Sequence, residues 1–321
     1  MKLVKKIPLP ITGLSLGLAA LGNLVQITPK MANTLEFFNI SASFSLKLRF
    51  ILHLISAIIF LALTVKILSD FSSFKNEMNN PVTASVFPTY SMNLMLLAAW
   101  LKPYIGVFAV ILWYAAILLH VLLIIYFSVK FLCKHELKTV FPSWFIVYVG
   151  IAVASVTAPL FDAVPIGQFC FYWGITWTIG LFIVVAIRYA KLGHGPEPTK
   201  PLLVICAAPI ALCLAGYGNS FPVKNQTVLW VLLISSQATF CFMFFQMLRL
   251  LRLPFYPSFS AFTFPIVISG LSAKLALHEL FGKANFRVQA WLIAVETLVA
   301  CLIVFYCLIK YIKAFLKSLN N

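Results

Sequence analysis

Three ionisable side chains sit deep inside apolar sequence: His53, His120 and Glu296. A histidine in such a place could titrate near physiological pH and act as a switch or proton relay. His53 and Glu296 each fall about nine residues into their apolar segments, at matched depth if both segments run inward from the same surface. A structural pair is therefore open to them, and so is a coupling role. For His120 a satisfied interhelical contact or a subunit contact is the plainer expectation. The other reactive residues assemble nothing. The seven cysteines show no CxxC spacing and mostly lie in apolar stretches, where cysteine behaves as a small hydrophobe. No Gly-rich phosphate loop, HExxH or GxSxG elbow is present, and Gly193-His194-Gly195 reads as a turn. An enzyme is not expected, nor a metal or cofactor.

The elements that hold these residues belong to a membrane. Of 321 residues 62% are hydrophobic and 10% charged, proportions that cannot give a water-soluble core with a polar shell. Ten apolar windows follow one another: Ile11 to Ile27, Phe44 to Leu68, Val82 to Leu101, Tyr104 to Val129, Pro142 to Leu160, Pro165 to Tyr189, Pro201 to Asn219, Gln226 to Leu251, Pro257 to Leu275 and Arg287 to Tyr311. Each approaches the ~20 residues that span a bilayer core. Lys2, Lys5 and Lys6 followed by Pro8 and Pro10, without a small-residue cleavage site, favour a first helix over a cleaved signal.

Of the 24 Lys and Arg residues, 16 fall at the termini and on the links after even-numbered windows. That bias places both termini in the cytoplasm of a multi-pass protein of the inner (plasma) membrane. It also accounts for most of the +16 charge as topology rather than nucleic-acid binding. Lys47, Arg49 and Arg287, near the outer ends, are expected to reach headgroups. About ten residues precede the first window and about ten follow the last, so no regulatory tail is expected, and no window carries the arginine series of a voltage sensor.

Odd windows are short and proline-bearing, whereas most even ones are longer, lack internal proline and end in basic clusters. Pro10, Pro81, Pro142, Pro201 and Pro257 recur at intervals of 71, 61, 59 and 56 residues. The period reads as five helical hairpins, approximately 7–68, 81–129, 142–189, 201–251 and 257–313, within one transmembrane domain and no soluble one. Pro88, Pro209 and Pro265 lie inside odd windows among Ser, Thr, Asn and Gly. Broken backbone at membrane depth is tolerated only against protein or a water-filled cavity, so the odd helices are expected inside as an all-α inner ring lining a path, with the even helices outside.

The segments VFPTYSMNLML, FPSWFIVYVGIAVASVTAP and AFTFP, in windows three, five and nine, together resemble the tellurite-resistance/C4-dicarboxylate transporter (TDT) family, which includes bacterial TehA and is related to the plant guard-cell slow anion channels. The resemblance runs from about Ile7 to about Tyr311. It implies a homotrimer in which each protomer has its own pore through a quasi-five-fold ring of hairpins. It also implies that the phenylalanine before the proline of the ninth window, here Phe264, occludes that pore.

A ring in a narrow uncharged conduit blocks it sterically and by expelling water. Ser260, Thr263 and Ser269 are candidate lining hydroxyls and Phe87, before Pro88, a second candidate ring. Phe259 and Phe262 read as packing. Windows three, five and seven hold no interior charge and window nine reaches Lys274 only near its end. A neutral path with basic mouths suits small inorganic or organic anions moving by a channel-like mechanism. The alternative is a proton-coupled C4-dicarboxylate (malate) carrier, for which His53, His120 and Glu296 are the available coupling groups.

Overall fold

The computed structural model describes residues 4, 6–26, 41–134, 136–282 and 287–319. Lys2, Lys5, Lys30 and Lys283, counted in the charge bias, lie outside the described residues, as does the side chain of Arg287.

All regular structure among the described residues is helical: α1 (Ile11–Val25), α2 (Ala42–Ser69), α3 (Phe71–Glu77), α4 (Pro81–Val86), α5 (Thr89–Ile105), α6 (Val107–Lys130), α7 (Trp144–Val149), α8 (Ala152–Thr157), α9 (Val164–Leu192), α10 (Ala208–Ser220), α11 (Gln226–Leu250), α12 (Thr263–Phe281) and α13 (Arg287–Leu319). Short 3-10 turns aside, two longer 3-10 stretches, Glu197–Ala207 and Pro257–Phe262, lead into α10 and α12. Among the described residues eight helical segments are long and apolar enough to cross a membrane, with shorter apolar helices at Ile11–Val25 and Ala152–Phe161.

The eight divide by burial. In Pro81–Ile105, Glu197–Ser220 and Pro257–Phe281 the most apolar window is 78%, 83% and 89% buried, whereas in α2, α6, α9, α11 and α13 it is about a third or less. The second group turns large apolar side chains outward, such as Ile58, Leu118, Ile179 and Phe245, as a lipid-facing surface requires. Each buried helix packs on the exposed helix that follows it: α1 on α2, α5 on α6, α8 on α9, α10 on α11 and α12 on α13. The buried helices also pack on one another in the pairs α1–α5, α5–α8, α8–α10, α10–α12 and α12–α1.

The prolines act by changing helix type. Pro88 is the residue before α5, Pro209 the second residue of α10 and Pro265 the third of α12. At these positions a helix has no intrahelical use for an N–H, so proline costs little there. What precedes each is a 3-10 stretch or a separate short helix, so the interruption is a junction between two helices rather than a bend in one.

Candidate functional site

Two cavities lie on the axis between the buried helices. The narrow one, about 40 Å³, is lined from α1 by Gly13, from α4 and α5 by Val86, Thr89 and Met92, from α7 by Phe145, Ile146 and Val149, and beyond these by Ile205, Ala208, Pro209, Leu212, Ser260, Ala261, Phe264 and Pro265. The wide one, about 430 Å³, lies toward the carboxyl ends of α1, α5, α10 and α12 and includes Asn23, Gln26, Arg49, Trp100, Thr157, Asn219 and Lys274 in its wall. Phe264 and Leu212 line both cavities. Phe264 is 7% exposed, so its ring is seated between the two spaces rather than free in either.

The seat is built by α1. Its Gly13 and Gly17 stand four residues apart, the spacing that lets helix backbones approach closely. A Cβ on Gly13 would meet Ser260 at 3.1 Å, and one on Gly17 would meet Thr263 at 2.5 Å and the Phe264 backbone nitrogen at 3.2 Å. The Thr263 hydroxyl reaches the carbonyls of Gly13 (3.0 Å) and Ser260 (2.7 Å), tying the junction to α1. Thr263 thus spends its hydroxyl on structure. So does Ser269, which donates to the Pro265 carbonyl at 2.9 Å. Neither lines the two cavities, while Ser260 borders the narrow one. Phe87 is turned from both, stacked on Tyr90 (5.4 Å) and edge-on to Phe74 (5.0 Å). Phe259 and Phe262 are fully buried against each other at 4.9 Å.

Carbonyls left open where the inner helices break would make the cavities repel anions if they faced them. Several are bonded from the exposed helices instead. His120 of α6 reaches the Val147 carbonyl through Nε2 (3.1 Å), and Trp173 of α9 donates Nε1–H to the Tyr148 carbonyl (2.9 Å), both just before the α7–α8 break. Cys307 and Tyr311 of α13 donate to the carbonyls of Phe259 and Pro257 in the 3-10 stretch. With Nε2 donating, His120 Nδ1 accepts from Ser91 at 2.8 Å.

His53 and Glu296 are not joined by a hydrogen bond. His53 Nδ1 faces the Arg49 carbonyl (2.9 Å) and its ring stacks on Trp100 at 5.2 Å, while Nε2 has no partner. Glu296 is buried beside Gly270, with the Gln237 side chain as its polar neighbour. None of His53, His120 and Glu296 lines the two cavities. Arg49, expected at the headgroups, is half-buried beside Trp100 and Pro103 of α5, where it forms part of the wide cavity wall and also borders a more open pocket with Lys47 and Tyr104. Sequence reading did not find this placement. Nor did it find Leu212, or the Gly13–Gly17 contact, for which the GLSLG spacing was the available signal.

Compared with known proteins, residues 6–312 match the family described as voltage-dependent anion channels. No curated protein matches the chain.

Proposed function

The chain belongs to the voltage-dependent anion channel family, and from that membership we propose that it passes small anions along the axis between α1, α5, α8, α10 and α12, with Phe264 as the gate. The family implies an anion channel or transporter in a membrane, and the exposed apolar helices suit a multi-pass protein. The observation that carries the finer reading is that the Phe264 ring stands at the boundary of two axial cavities, both walled by the same five buried parts of the chain. Moving one ring would join them.

In this reading all ten helical segments cross the bilayer, as five hairpins in a quasi-five-fold ring within a single transmembrane domain. The closed run of packing pairs from α1 round to α12 supports it. The fifteen residues of α1 cover ~22 Å as α-helix, and the preceding turn at Ile7–Pro10 lengthens that element. The charge bias supports cytoplasmic termini and an inner (plasma) membrane location, so the wide cavity faces outward. The broad apolar faces of α2, α6, α9, α11 and α13 have room for both lipid and neighbouring protomers, and a homotrimer with one path per protomer follows from the family resemblance.

The test is anion current through the purified protein in planar bilayers, wild type against Phe264→Ala, with chloride, nitrate and malate compared. Removal of the ring is expected to raise conductance about ten-fold or more, as for loss of a dewetted constriction. Equal, near-zero currents from both forms would overturn the gate.

A further inference from the structure

The wide cavity holds two cations, and no carboxylate stands among its lining residues that the structure describes. Lys274 is 6% exposed and donates from Nζ to the carbonyls of Leu24 (3.0 Å) and Gln26 (2.6 Å), at the carboxyl end of α1 where helix carbonyls lack intrahelical partners. An ammonium has three N–H groups, so among the described residues these two bonds leave one unused. Arg49 borders the same space, and its Nε has no acceptor among those residues. Among the described residues neither cation has an acidic partner within ion-pair distance.

The protein does neutralise a comparable charge elsewhere. Lys66, 4% exposed at the other end of the bundle, also donates to a carbonyl, that of Ile7 at 2.8 Å, and Glu77 meets it at 2.7 Å. Buried charge without a counter-charge is expensive, and more so at membrane depth. Lys66 has a fixed counter-charge, whereas Lys274 and Arg49 share a cavity with none among the described residues.

We propose that Lys274 and Arg49 form an anion-binding site on the wide-cavity side of Phe264, selective for small oxyanions such as a carboxylate or nitrate. The guanidinium fork matches two oxygens of one anion, and the amides of Asn23, Gln26 and Asn219 line the same wall as further donors. At about 430 Å³ the cavity takes such an anion with part of its water, whereas the neutral cavity beyond Phe264, at about 40 Å³, leaves far less room for accompanying water. The site therefore holds the anion where dehydration must begin. Its role in conduction rests on the reading of the two cavities as one path.

Thermal unfolding of the full chain in detergent, at constant ionic strength, tests binding without requiring current. Nitrate and acetate are expected to stabilise the wild type and Lys274→Arg more than chloride does. In Arg49→Gln the half-stabilising concentration should rise about ten-fold, the effect expected of one neutralised charge near the surface. Lys274→Gln, which also removes two bonds to the carboxyl end of α1, is expected to lose the anion dependence, with the charge-conserving Lys274→Arg as its control and Arg49→Gln as the decisive variant if Lys274→Gln does not fold. An unchanged anion dependence in Arg49→Gln overturns the site. Bilayer recordings on the Phe264→Ala background separate the two readings. Current whose saturation is the same with and without Arg49→Gln overturns the site and leaves the path. Absence of current, with anion stabilisation lost in Arg49→Gln, overturns the path and leaves the site.

Discussion

The residue most sensitive to added volume is Gly17, because its missing Cβ is what lets α1 lie against Thr263 and Phe264. A methyl there would stand 2.5 Å from the Thr263 side chain, closer than nonbonded carbons approach, and Thr263 is fully buried with its hydroxyl committed to two carbonyls. The neighbour cannot rotate away without breaking those bonds. Gly17→Ala is therefore expected to destabilise the protein by ~1–3 kcal/mol, the usual cost of overpacking, read as a lowered midpoint in detergent unfolding. Because the displaced residues include Phe264, the same variant should raise basal conductance. Gly180 is the matched control: it lies on the exposed face of α9 with nothing within 4 Å of an added Cβ. Gly180→Ala should leave stability unchanged or raise it by up to ~1 kcal/mol, since alanine is the better helix former. Phe264 could be singled out in the sequence, by its place before a proline and by family resemblance. The residues that seat it could not be assigned there, since GLSLG marks a close approach without saying to what.

Among the elements, the inner helices are interrupted and the outer ones supply the donors that make interruption affordable. His120 shows the arrangement most fully, reaching from α6 to the Val147 carbonyl before the α7–α8 break and to Ser91 in α5. His120→Leu keeps the bulk and removes both bonds. The Val147 carbonyl would then be buried without that partner, a loss of ~1–3 kcal/mol, expected as a lowered unfolding midpoint. A purely structural role also predicts that whatever conductance remains keeps the wild-type pH profile, and a shifted profile would mark His120 as a coupling group. The alternation of proline-bearing and proline-free windows was legible because proline constrains backbone wherever it stands. The form of the interruption was not. Whether a proline bends one helix or begins another depends on whether the preceding turn is 3-10, and that is settled by partners such as Cys307 and Tyr311, distant in sequence. Arg49's share in the cavity wall was illegible for a related reason: its sequence neighbours describe a helix end near an interface, and only the packing of α5 beside it forms the cavity.

For the whole molecule the question is whether anions move downhill through a gated path or are driven by protons. Proton coupling needs an ionisable group that meets both the permeant and the path. Among the described residues the linings of the two cavities include no His, Asp or Glu, and the ionisable side chains there are Arg49 and Lys274. His120 is occupied between α5 and α7, His53 lies against Trp100 and the Arg49 carbonyl, and Glu296 sits beside Gly270. A carrier built on these groups would have to rearrange the bundle to bring one of them to the axis. The expectation is thus that conductance through Phe264→Ala stays flat between about pH 6 and 8, the interval in which an unperturbed histidine titrates, and that current reverses at the anion's Nernst potential whatever the proton gradient. Liposomes with the wild-type protein should not accumulate malate when a pH difference is imposed. Uphill uptake that follows the pH difference and disappears in Glu296→Gln would instead place the coupling between α12 and α13, and Phe264 would then govern access to a carrier site rather than the opening of a channel.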